Sequence, residues 1–407
     1  MNKTIKIFLY PFFGVLLYLF CVIRFAYISN INVISLSAGI LIFLYLILKG
    51  AVFGNKKYIK INITLYLFCF FAIVSSLINF KNFDGTILYC LKIVDILLFT
   101  EYVCELKCEK KMAIIYFVVS TLLSIITIVY ANIHPLAAWY NELNYLIGSK
   151  FLVSYNALAS ILFFSYGFDS IKKNGFIYRI IVLLLFIFNF YVCFKVKCST
   201  GMVGIFFLFF FLMFGFQNKL KVTGLLTKSS TAVLAIVLSA LAVLLFSNFI
   251  VNVPLIKYVI EDIFNKNGDL SGRLIVYNNI FNYFKGHWLF GYGFNNVYSI
   301  FKSTMKIRTN SYAYDAQNAL LEYMLYFGII GCAFFLNFVK KSFSNISRLN
   351  QDAARKKIYF LVGFYMMVFL GTVEITFNPL FYLFLSYISC DKQEIYEVCE
   401  EEKRWKK

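Results

Sequence analysis

Long apolar runs recur along this 407-residue chain, each about 17–22 residues in length and separated from the next by a short Lys-rich or Asn-rich segment. Runs of this length can cross the hydrocarbon core of a bilayer, which is roughly 30 Å thick. Only helices and closed barrels satisfy the backbone inside that core, and these runs lack the two-residue alternation of barrel strands. The sequence therefore predicts an all-α, polytopic membrane protein.

Twelve membrane-spanning helices are expected from these runs. We place them at residues 7–23, 31–48, 61–80, 86–103, 112–131, 151–168, 177–194, 201–216, 231–250, 316–338, 358–373 and 379–390. No linker rich in Pro, Gly or Ser and no low-complexity tract divides the chain. Residues 1–407 are therefore interpreted as one integral membrane domain that contains one large loop at 251–315.

The basic charge of the chain follows its predicted topology. The net charge is +19; if the N-terminus is cytoplasmic, the inner segments hold 26 of the 39 Lys and Arg residues, while the short outer loops hold five. This asymmetry predicts cytoplasmic termini and an external 251–315 loop. The inner charge suits contact with anionic lipid headgroups, so no nucleic-acid partner is expected.

The predicted external loop differs in composition from the rest of the chain, because it is rich in Asn, Lys, Gly and Tyr. A structureless loop of about 65 residues is uncommon unless it is functional. The segment SGRLIVYNNIFNYFKG has apolar residues at helical spacing, namely Leu274, Tyr277, Ile280, Phe281 and Phe284. We therefore expect a short helix inside the loop.

Ionisable residues inside spans are costly and indicate function or pairing. Lys92 and Asp95 lie three residues apart in the fourth predicted span, where they share a helix face and are expected to pair with each other. The two histidines, His134 and His287, fall in predicted loops, where contacts within the loop are expected in preference to catalysis.

Two segments on the predicted outer side carry residues at a specific spacing. The loop piece SGRLIVYNNIFNYFKGHWLFGYGFNN contains Ser271, Gly272, Arg273, Gly291 and Gly293. The segment AQNALLEYMLYFGIIG contains Gln317 and Asn318 and, after nine residues, Gly328 and Gly331. The first segment resembles the SGR…Pro-x-x-Gly-x-Gly pattern of bacterial O-antigen polymerases and O-antigen ligases. The second resembles that family's signature, in which a His and then Asn, Ser or Gln are followed after nine residues by Gly-x-x-Gly, with Gln317 at the position of the family's His.

Three further positions extend this resemblance over roughly residues 150–390. Asn156 in SYNALAS is similar to the family's Asn-x-x-Ala at the start of a span, and Thr200 in KCSTGMVG takes the Arg position of its Ser-Arg-Gly turn. Glu374 lies at the last predicted outer turn, where the family also has a Glu. The glycine pairs need no chemistry, because one permits a tight turn and the other close helix packing.

The resemblance implies a glycosyltransferase of the bacterial cytoplasmic membrane whose donor is an undecaprenyl-diphosphate-linked oligosaccharide. A polymerase of this type joins repeat units into a capsule, an O-antigen or another exopolysaccharide, and a flippase and a chain-length regulator are its expected partners. Two alternatives remain: a glycan ligase of the same family, and a flippase or transporter for the same lipid-linked glycan. A flippase would be expected to have short outer loops and charges spread through many helices.

The diphosphate of such a donor must be neutralised, and an arginine fork meets phosphate oxygens bidentately. Arg273 is therefore the first catalytic candidate. Lys195 and Lys197 lie at the predicted outer membrane face, at the depth of a lipid diphosphate. With Asn156 and Glu374 they form the predicted substrate-binding set. No cofactor is expected, and no metal, because no ligand cluster of the usual spacing occurs.

The general base is not fixed by the sequence, because Gln317 cannot accept a proton at neutral pH. Asp315 and Glu322 are candidates on either side of Gln317, and Asn318 shares a helix face with Glu322. Asp269 in NGDLSGR is a third carboxylate within reach in sequence. Alternatively, Gln317 only orients the acceptor while departure of the diphosphate drives the reaction.

Overall fold

A computed structural model of the chain describes residues 3–23, 30–49, 59–80, 82–134, 145–168, 175–213, 224–254, 258, 272–308, 311–346 and 357–390. The helices before the large loop are α1 (Lys3–Leu16, continued by a π-helix at Leu17–Val22), α2 (Ile31–Leu48), α3 (Ile59–Ile78), α4 (Phe83–Glu105), α5 (Glu109–Ile133), α6 (Lys150–Gly167), α7 (Gly175–Lys195), α8 (Ser199–Met213) and α9 (Ser229–Asn252). Later elements are α10 (Arg273–Phe284), α11 (Val297–Thr304), β1 (Lys306–Arg308), β2 (Ser311–Tyr312), α12 (Ala319–Ile346), α13 (Ile358–Leu370) and α14 (Pro379–Ser389).

A helix coincides with each of the twelve predicted spans, so the all-α polytopic membrane fold is confirmed. Among the described residues, five helices are long and apolar enough to cross a membrane, and five more are shorter apolar helices. The long ones include α2, α5 and α7, and the shorter ones include α13 and α14. The only strands in the described part of the chain form the small β1–β2 hairpin.

The connections that the sequence predicts to be external meet at one end of the bundle. Asn79, which follows α3, donates from its side chain to the Gly291 carbonyl in the large loop at 3.1 Å. Tyr145, before α6, donates its hydroxyl to the Val196 carbonyl in the turn after α7 at 3.4 Å. These contacts agree with helices that alternate in direction, which brings every second connection to the same side.

The helices divide into central and peripheral members. Every residue of α6 from Val153 to Tyr166 is buried, and every residue of α14 from Leu380 to Ser389 is buried. By contrast, α2 and α7 leave large apolar side chains such as Leu41 and Leu184 exposed on the outside of the bundle. Exposed apolar faces of this kind suit helices that contact lipid acyl chains.

The large loop contains the predicted short helix, which is α10. Three of the five predicted apolar residues, Tyr277, Ile280 and Phe284, are buried together with Val276, whereas Leu274 is half-buried and Phe281 is exposed. Gly272, immediately before α10, has φ +89°, and a Cβ there would lie 2.0 Å from Ile307 Cγ2 in β1. A glycine is therefore required where the SGR segment packs against the hairpin.

The loop is bonded to a break in α12 at Gly328, whose backbone has φ 64° and ψ −171°. The carbonyls of Leu325 and Tyr326 accept hydrogen bonds from the backbone N–H groups of Tyr292 and Gly293, at 2.7 and 2.9 Å. A Cβ on Gly328 would lie 2.2 Å from the Leu289 carbonyl oxygen. Gly328 thus packs against the loop backbone and not against another helix as predicted, whereas Gly331 packs against α3, where its Cβ would lie 3.1 Å from Phe71 Cδ1.

The predicted pairing of Lys92 with Asp95 is wrong. Asp95 is completely buried, and neither of its carboxylate oxygens has a hydrogen-bond partner. Its Oδ2 atom faces α2, where a Cβ on Gly39 would lie 3.2 Å away. Lys92 is only partly buried, so a separation of three residues gives a shared face without giving the two groups the same depth.

Candidate active site

A polar cluster lies at the end of the bundle that is predicted to be external, where α8, α10, α12 and the turn between α13 and α14 come together. Arg273 Nη2 lies 2.5 Å from Glu374 Oε1 in an ion pair whose side chains are 14% and 3% exposed. A buried ion pair is costly to form and costly to break, because removal of either partner leaves an uncompensated charge. Two residues that are 101 positions apart in sequence are thus held together.

Gln317 is held at both ends of its side-chain amide. Its Oε1 accepts from Arg273 Nε at 3.0 Å, and its Nε2 donates to Asp315 Oδ1. The backbone N–H of Gln317 also donates to Asp315 Oδ1, at 3.0 Å. Arg273, Gln317 and Asp315 therefore form a continuous chain of hydrogen bonds that ends at Glu374.

The backbone of Gln317 is strained. Its φ is 52°, in the left-handed region, which costs a residue with a Cβ on the order of 1–2 kcal/mol. The Tyr277 hydroxyl donates to the Gln317 carbonyl at 2.8 Å and helps to hold this conformation. Strain that is retained by surrounding contacts is a frequent property of functional positions.

The pKa of Glu374 is raised to about 7, mainly because burial penalises its charged form. The Arg273 guanidinium opposes this effect, the Asp315 carboxylate adds to it, and the Thr200 hydroxyl, which donates to Glu374 Oε1 at 3.2 Å, lowers the pKa. A carboxyl group with a pKa near 7 can exchange a proton at neutral pH. Perturbed carboxyl groups of this kind are enriched in active sites.

Asn318 and Glu322 support this site from within the protein. The Asn318 side-chain carbonyl accepts from the backbone N–H groups of Leu320 and Leu321, at 3.1 and 3.0 Å, and so caps the start of α12. Glu322 is 1% exposed, and its Oε2 accepts from the Ala316 N–H at 2.6 Å. Both side chains fix the segment that carries Asp315 and Gln317.

The structure places Asn156 in the centre of the bundle. Its amide accepts from the Tyr18 hydroxyl at 2.9 Å and donates to the Ser120 carbonyl at 2.9 Å and to Ser124 Oγ at 3.1 Å. Asn156 is completely buried. These contacts join the α1 segment to α5 and α6, and they give a partner to the amide oxygen and to both amide N–H groups.

Lys195 and Lys197 lie at the edge of the same end of the bundle. Lys195 Nζ donates to Asn132 Oδ1 at 3.1 Å and lies 5.5 Å from the centre of the Tyr191 ring. Lys197, in the turn between α7 and α8, is exposed. The predicted carboxylate Asp269 lies outside the described residues, as does Ser271 of the SGR segment.

Two residues near the cluster are not among the sequence predictions. Lys150 begins α6, and its positive charge lowers the pKa of Glu374. Tyr155 is 2% exposed, lies within the electrostatic reach of Glu374 and Arg273, and has a hydroxyl with no hydrogen-bond partner among the described residues. The predicted outer position of Lys150 was a usable signal in the sequence, whereas nothing in the sequence distinguishes Tyr155 from the other buried tyrosines.

Metal-ligating residues do not gather elsewhere in the described part of the chain, where no group of three or more His, Cys, Asp and Glu side chains is placed to hold an ion. The charges at the cluster come from Arg273, Lys150 and the carboxylates Asp315 and Glu374. His287 stacks on Tyr292, with ring centroids 3.8 Å apart, and so makes the loop contact expected of it.

Comparison with protein families gives a match to the model described as O-antigen ligase over residues 181–336. Comparison with curated proteins and with solved structures gives no match. Members of the matched family are glycosyl-transferring enzymes of polysaccharide assembly whose substrate in the membrane is a lipid-linked oligosaccharide. The matched segment includes Arg273, Asp315, Gln317, Asn318 and Glu322, so the resemblance to this family that the sequence motifs indicate is confirmed over residues 181–336.

Proposed function

We propose that this protein is a polymerase that joins undecaprenyl-diphosphate-linked oligosaccharide repeat units into a surface polysaccharide. The observation that carries the proposal is the cluster of Arg273, Gln317, Asp315 and Glu374 beneath the large loop. It combines a cation that suits a diphosphate with a carboxyl group that can exchange a proton near neutral pH. This is the pair of groups that glycosyl transfer from a lipid diphosphate requires.

In the proposed reaction, a hydroxyl oxygen of the acceptor sugar attacks the anomeric carbon of the donor's first sugar. A new glycosidic C–O bond forms, the bond between that carbon and the diphosphate oxygen breaks, and the lipid diphosphate leaves with the electron pair. Arg273 stabilises the negative charge that develops on the leaving group, with Lys150 and Lys195 adding positive charge nearby. The proton of the acceptor hydroxyl passes to Glu374.

Glu374 is the preferred base among the carboxylates for two reasons. Its pKa of about 7 matches the task, and it directly contacts the arginine proposed to hold the leaving group. The other two carboxylates already accept backbone hydrogen bonds: Glu322 accepts from the Ala316 N–H, and Asp315 accepts from the Gln317 N–H. Gln317, at the position of the family's His, then orients the acceptor and does not take a proton.

An apolar groove between α8 and α13 suits the isoprenoid chain of such a donor. It has a volume of about 430 Å³, and its lining includes Phe207, Phe210, Val362 and Phe369. Its two walls are helices whose external ends lie at the polar cluster, because α8 begins next to Thr200 and α13 ends four residues before Glu374. A photoactivatable polyprenyl diphosphate should label α8 and α13; label confined to other helices would remove this placement.

We also propose that residues 1–407 form one membrane domain of the bacterial cytoplasmic membrane, with cytoplasmic termini and the cluster on the outer face. Support comes from the Lys and Arg asymmetry and from the gathering of the predicted outer connections at one end. Labelling of single cysteines in intact cells with an impermeant reagent tests this. Residue 300 should react and residue 348 should not, and the reverse pattern would overturn the orientation.

Deletion of the gene and sizing of the surface glycan tests the function itself. Loss of a polymerase should leave single repeat units on the surface in place of long chains. Loss of a flippase would leave no surface units, because the lipid-linked unit would never reach the outer face. Loss of a ligase would leave full-length polymer that is not attached to its final acceptor, so the three functions give three different products.

A further inference from the structure

The second face of α10 lines a polar pocket that the proposed reaction does not use. The pocket has a volume of about 340 Å³ and lies between α10 and the segment that joins α11 to β1. Its lining residues are Ile275, Asn279, Asn282, Tyr283, Thr304, Met305 and Lys306. The four from α10 follow the i, i+4, i+7, i+8 spacing of one helix face.

The chemistry of this pocket suits a sugar ring. The Asn282 amide makes no hydrogen bond within the described residues, and Asn279 uses only its Nδ2, which donates to the Ile275 carbonyl at 2.8 Å. Donor and acceptor atoms therefore remain for sugar hydroxyls, while the buried side chain of Met305 offers an apolar floor for the C–H groups of a ring. Lys306 is the one charged residue in the lining.

The pocket is separated from the polar cluster by the thickness of one helix. Arg273 and Tyr277 lie on the buried face of α10, and at 100° per residue the pocket face points to the other side, roughly 10 Å away. The two places are also joined through the chain, because the Ala313 N–H donates to the Met305 carbonyl at 2.9 Å, two residues before Asp315. A sugar in the pocket would therefore lie close to the polar cluster without taking part in the reaction.

We propose that this pocket is a subsite for a sugar residue of the growing glycan, which holds the polymer on the enzyme between successive transfers. The inference rests on the proposed polymerase function and deepens it. A subsite of this kind acts on the number of units added per binding event and leaves the chemistry of each transfer unchanged. Its loss should shorten the polymer without preventing the first linkage.

The test uses the full-length protein with the double substitution Asn282→Ala and Lys306→Ala. Its matched control is Asn278→Ala with Lys302→Ala, because Asn278 lies on α10 and Lys302 on α11, and both are exposed outside the pocket. Two quantities are measured: the length distribution of the surface polymer, and calorimetric binding of the lipid-free repeat-unit oligosaccharide to purified protein. Loss of two or three hydrogen bonds should weaken binding by on the order of tenfold.

The expected result is a shorter polymer and weaker binding in the pocket variant, with the control equal to the wild type. Wild-type polymer length and wild-type affinity in the pocket variant would overturn the subsite proposal. Equal losses in the pocket variant and the control would also overturn it, because they would locate the effect outside the pocket. The proposed function is tested separately by the gene deletion, which must leave single units whatever the pocket variant does.

Discussion

The two faces of α10 present polar groups in opposite ways. On the buried face, Arg273 is already bonded to Glu374 and Gln317, and Tyr277 is bonded to the Gln317 backbone. On the pocket face, the Asn282 side chain makes no hydrogen bond within the described residues, and the side-chain oxygen of Asn279 accepts none. One face is a closed network that is held in a fixed geometry, and the other offers open groups to a ligand.

This difference separates two tasks that a polymerase has to perform. Stabilisation of charge at a reacting bond benefits from groups that are preorganised, because they need not rearrange during the reaction. Retention of a polymer of many units benefits from contacts that are weak and easily exchanged, because the chain must advance after each transfer. Substitutions on the buried face of α10 should therefore change the rate of transfer, and substitutions on its pocket face should change the length of the polymer.

The largest effect is expected at Arg273. Arg273→Lys should reduce transfer nearly as much as Arg273→Ala, by on the order of a hundredfold or more, because an ammonium keeps the charge and loses the bidentate geometry. Cells should then display single repeat units, which electrophoresis of the extracted glycan detects. Full-length polymer made by Arg273→Ala at the wild-type rate would show that the active site lies elsewhere.

The Arg273 variants need a control for folding, since the ion pair with Glu374 is buried. The amount of each variant in the membrane should be measured together with its activity. Arg179→Lys is the matched substitution, because Arg179 is an exposed arginine on α7. It should leave both the amount and the activity at wild-type values.

The next effect concerns the pH dependence of the rate. If Glu374 accepts the proton, it must be ionised in the free enzyme, so kcat/KM should rise with pH as the pH passes through about 7. Glu374→Gln should lower the rate by about a hundredfold and abolish this rise. The measurement is the kcat/KM of membrane preparations at a series of pH values with a lipid-linked repeat unit as substrate.

Asp315→Asn provides the comparison for Glu374, because it removes a second carboxylate of the same cluster. The variant should retain the rise in rate, shifted to lower pH, since the Asp315 charge raises the pKa of Glu374. If Asp315→Asn abolishes the rise and Glu374→Gln retains it, the base is Asp315.

A smaller effect is expected from Tyr277→Phe. The substitution removes the hydrogen bond to the Gln317 carbonyl and relaxes the hold on its left-handed backbone. A net hydrogen bond contributes about 0.5–1.5 kcal/mol, so the rate should fall roughly twofold to tenfold. Tyr298→Phe, at an exposed tyrosine on α11, is the control; a rate loss equal to that of Tyr277→Phe would exclude a specific role.

Removal of divalent ions should have the smallest effect. The positive charge for the diphosphate is assigned to Arg273 and nearby lysines, so we expect transfer by the purified enzyme to continue in the presence of a chelator. The measurement compares rates with and without EDTA at constant ionic strength. Complete loss of activity that is restored by a divalent cation would contradict this prediction.

The helices were predictable from the sequence because their signal is local. An apolar run of sufficient length specifies a span without knowledge of its neighbours, so the predicted ends of α2, α8 and α14 lie within a few residues of the observed ones. The failure at Lys92 and Asp95 has the same origin. Spacing along one helix fixes a shared face, but the depth at which each side chain ends depends on the packing of other helices.

The site was predictable where a motif marks it and not where packing alone creates it. The SGR and Gln-Asn segments identified Arg273 and Gln317, and the last predicted outer turn identified Glu374. The fold brings Arg273 into direct contact with both other residues. Tyr155 joins them only because α6 packs beside the cluster. A contact across more than a hundred residues leaves no trace in the spacing of a single sequence.

The break in α12 has a consequence for how this chain can vary. Around Gly328, backbone groups of α12 hydrogen-bond to main-chain groups of Trp288, Tyr292 and Gly293 in the loop in place of partners within the helix. Because main-chain atoms make these bonds, the bonds do not depend on the side chains of residues 288–293, except at Gly291, whose Cβ would lie 2.6 Å from the Leu325 carbonyl oxygen, and at Gly293, whose φ is +84°. An inserted or deleted residue in this stretch would instead move every donor away from its acceptor. Evolution should therefore conserve the length of the 288–293 segment and its alignment with α12, even where its side chains change.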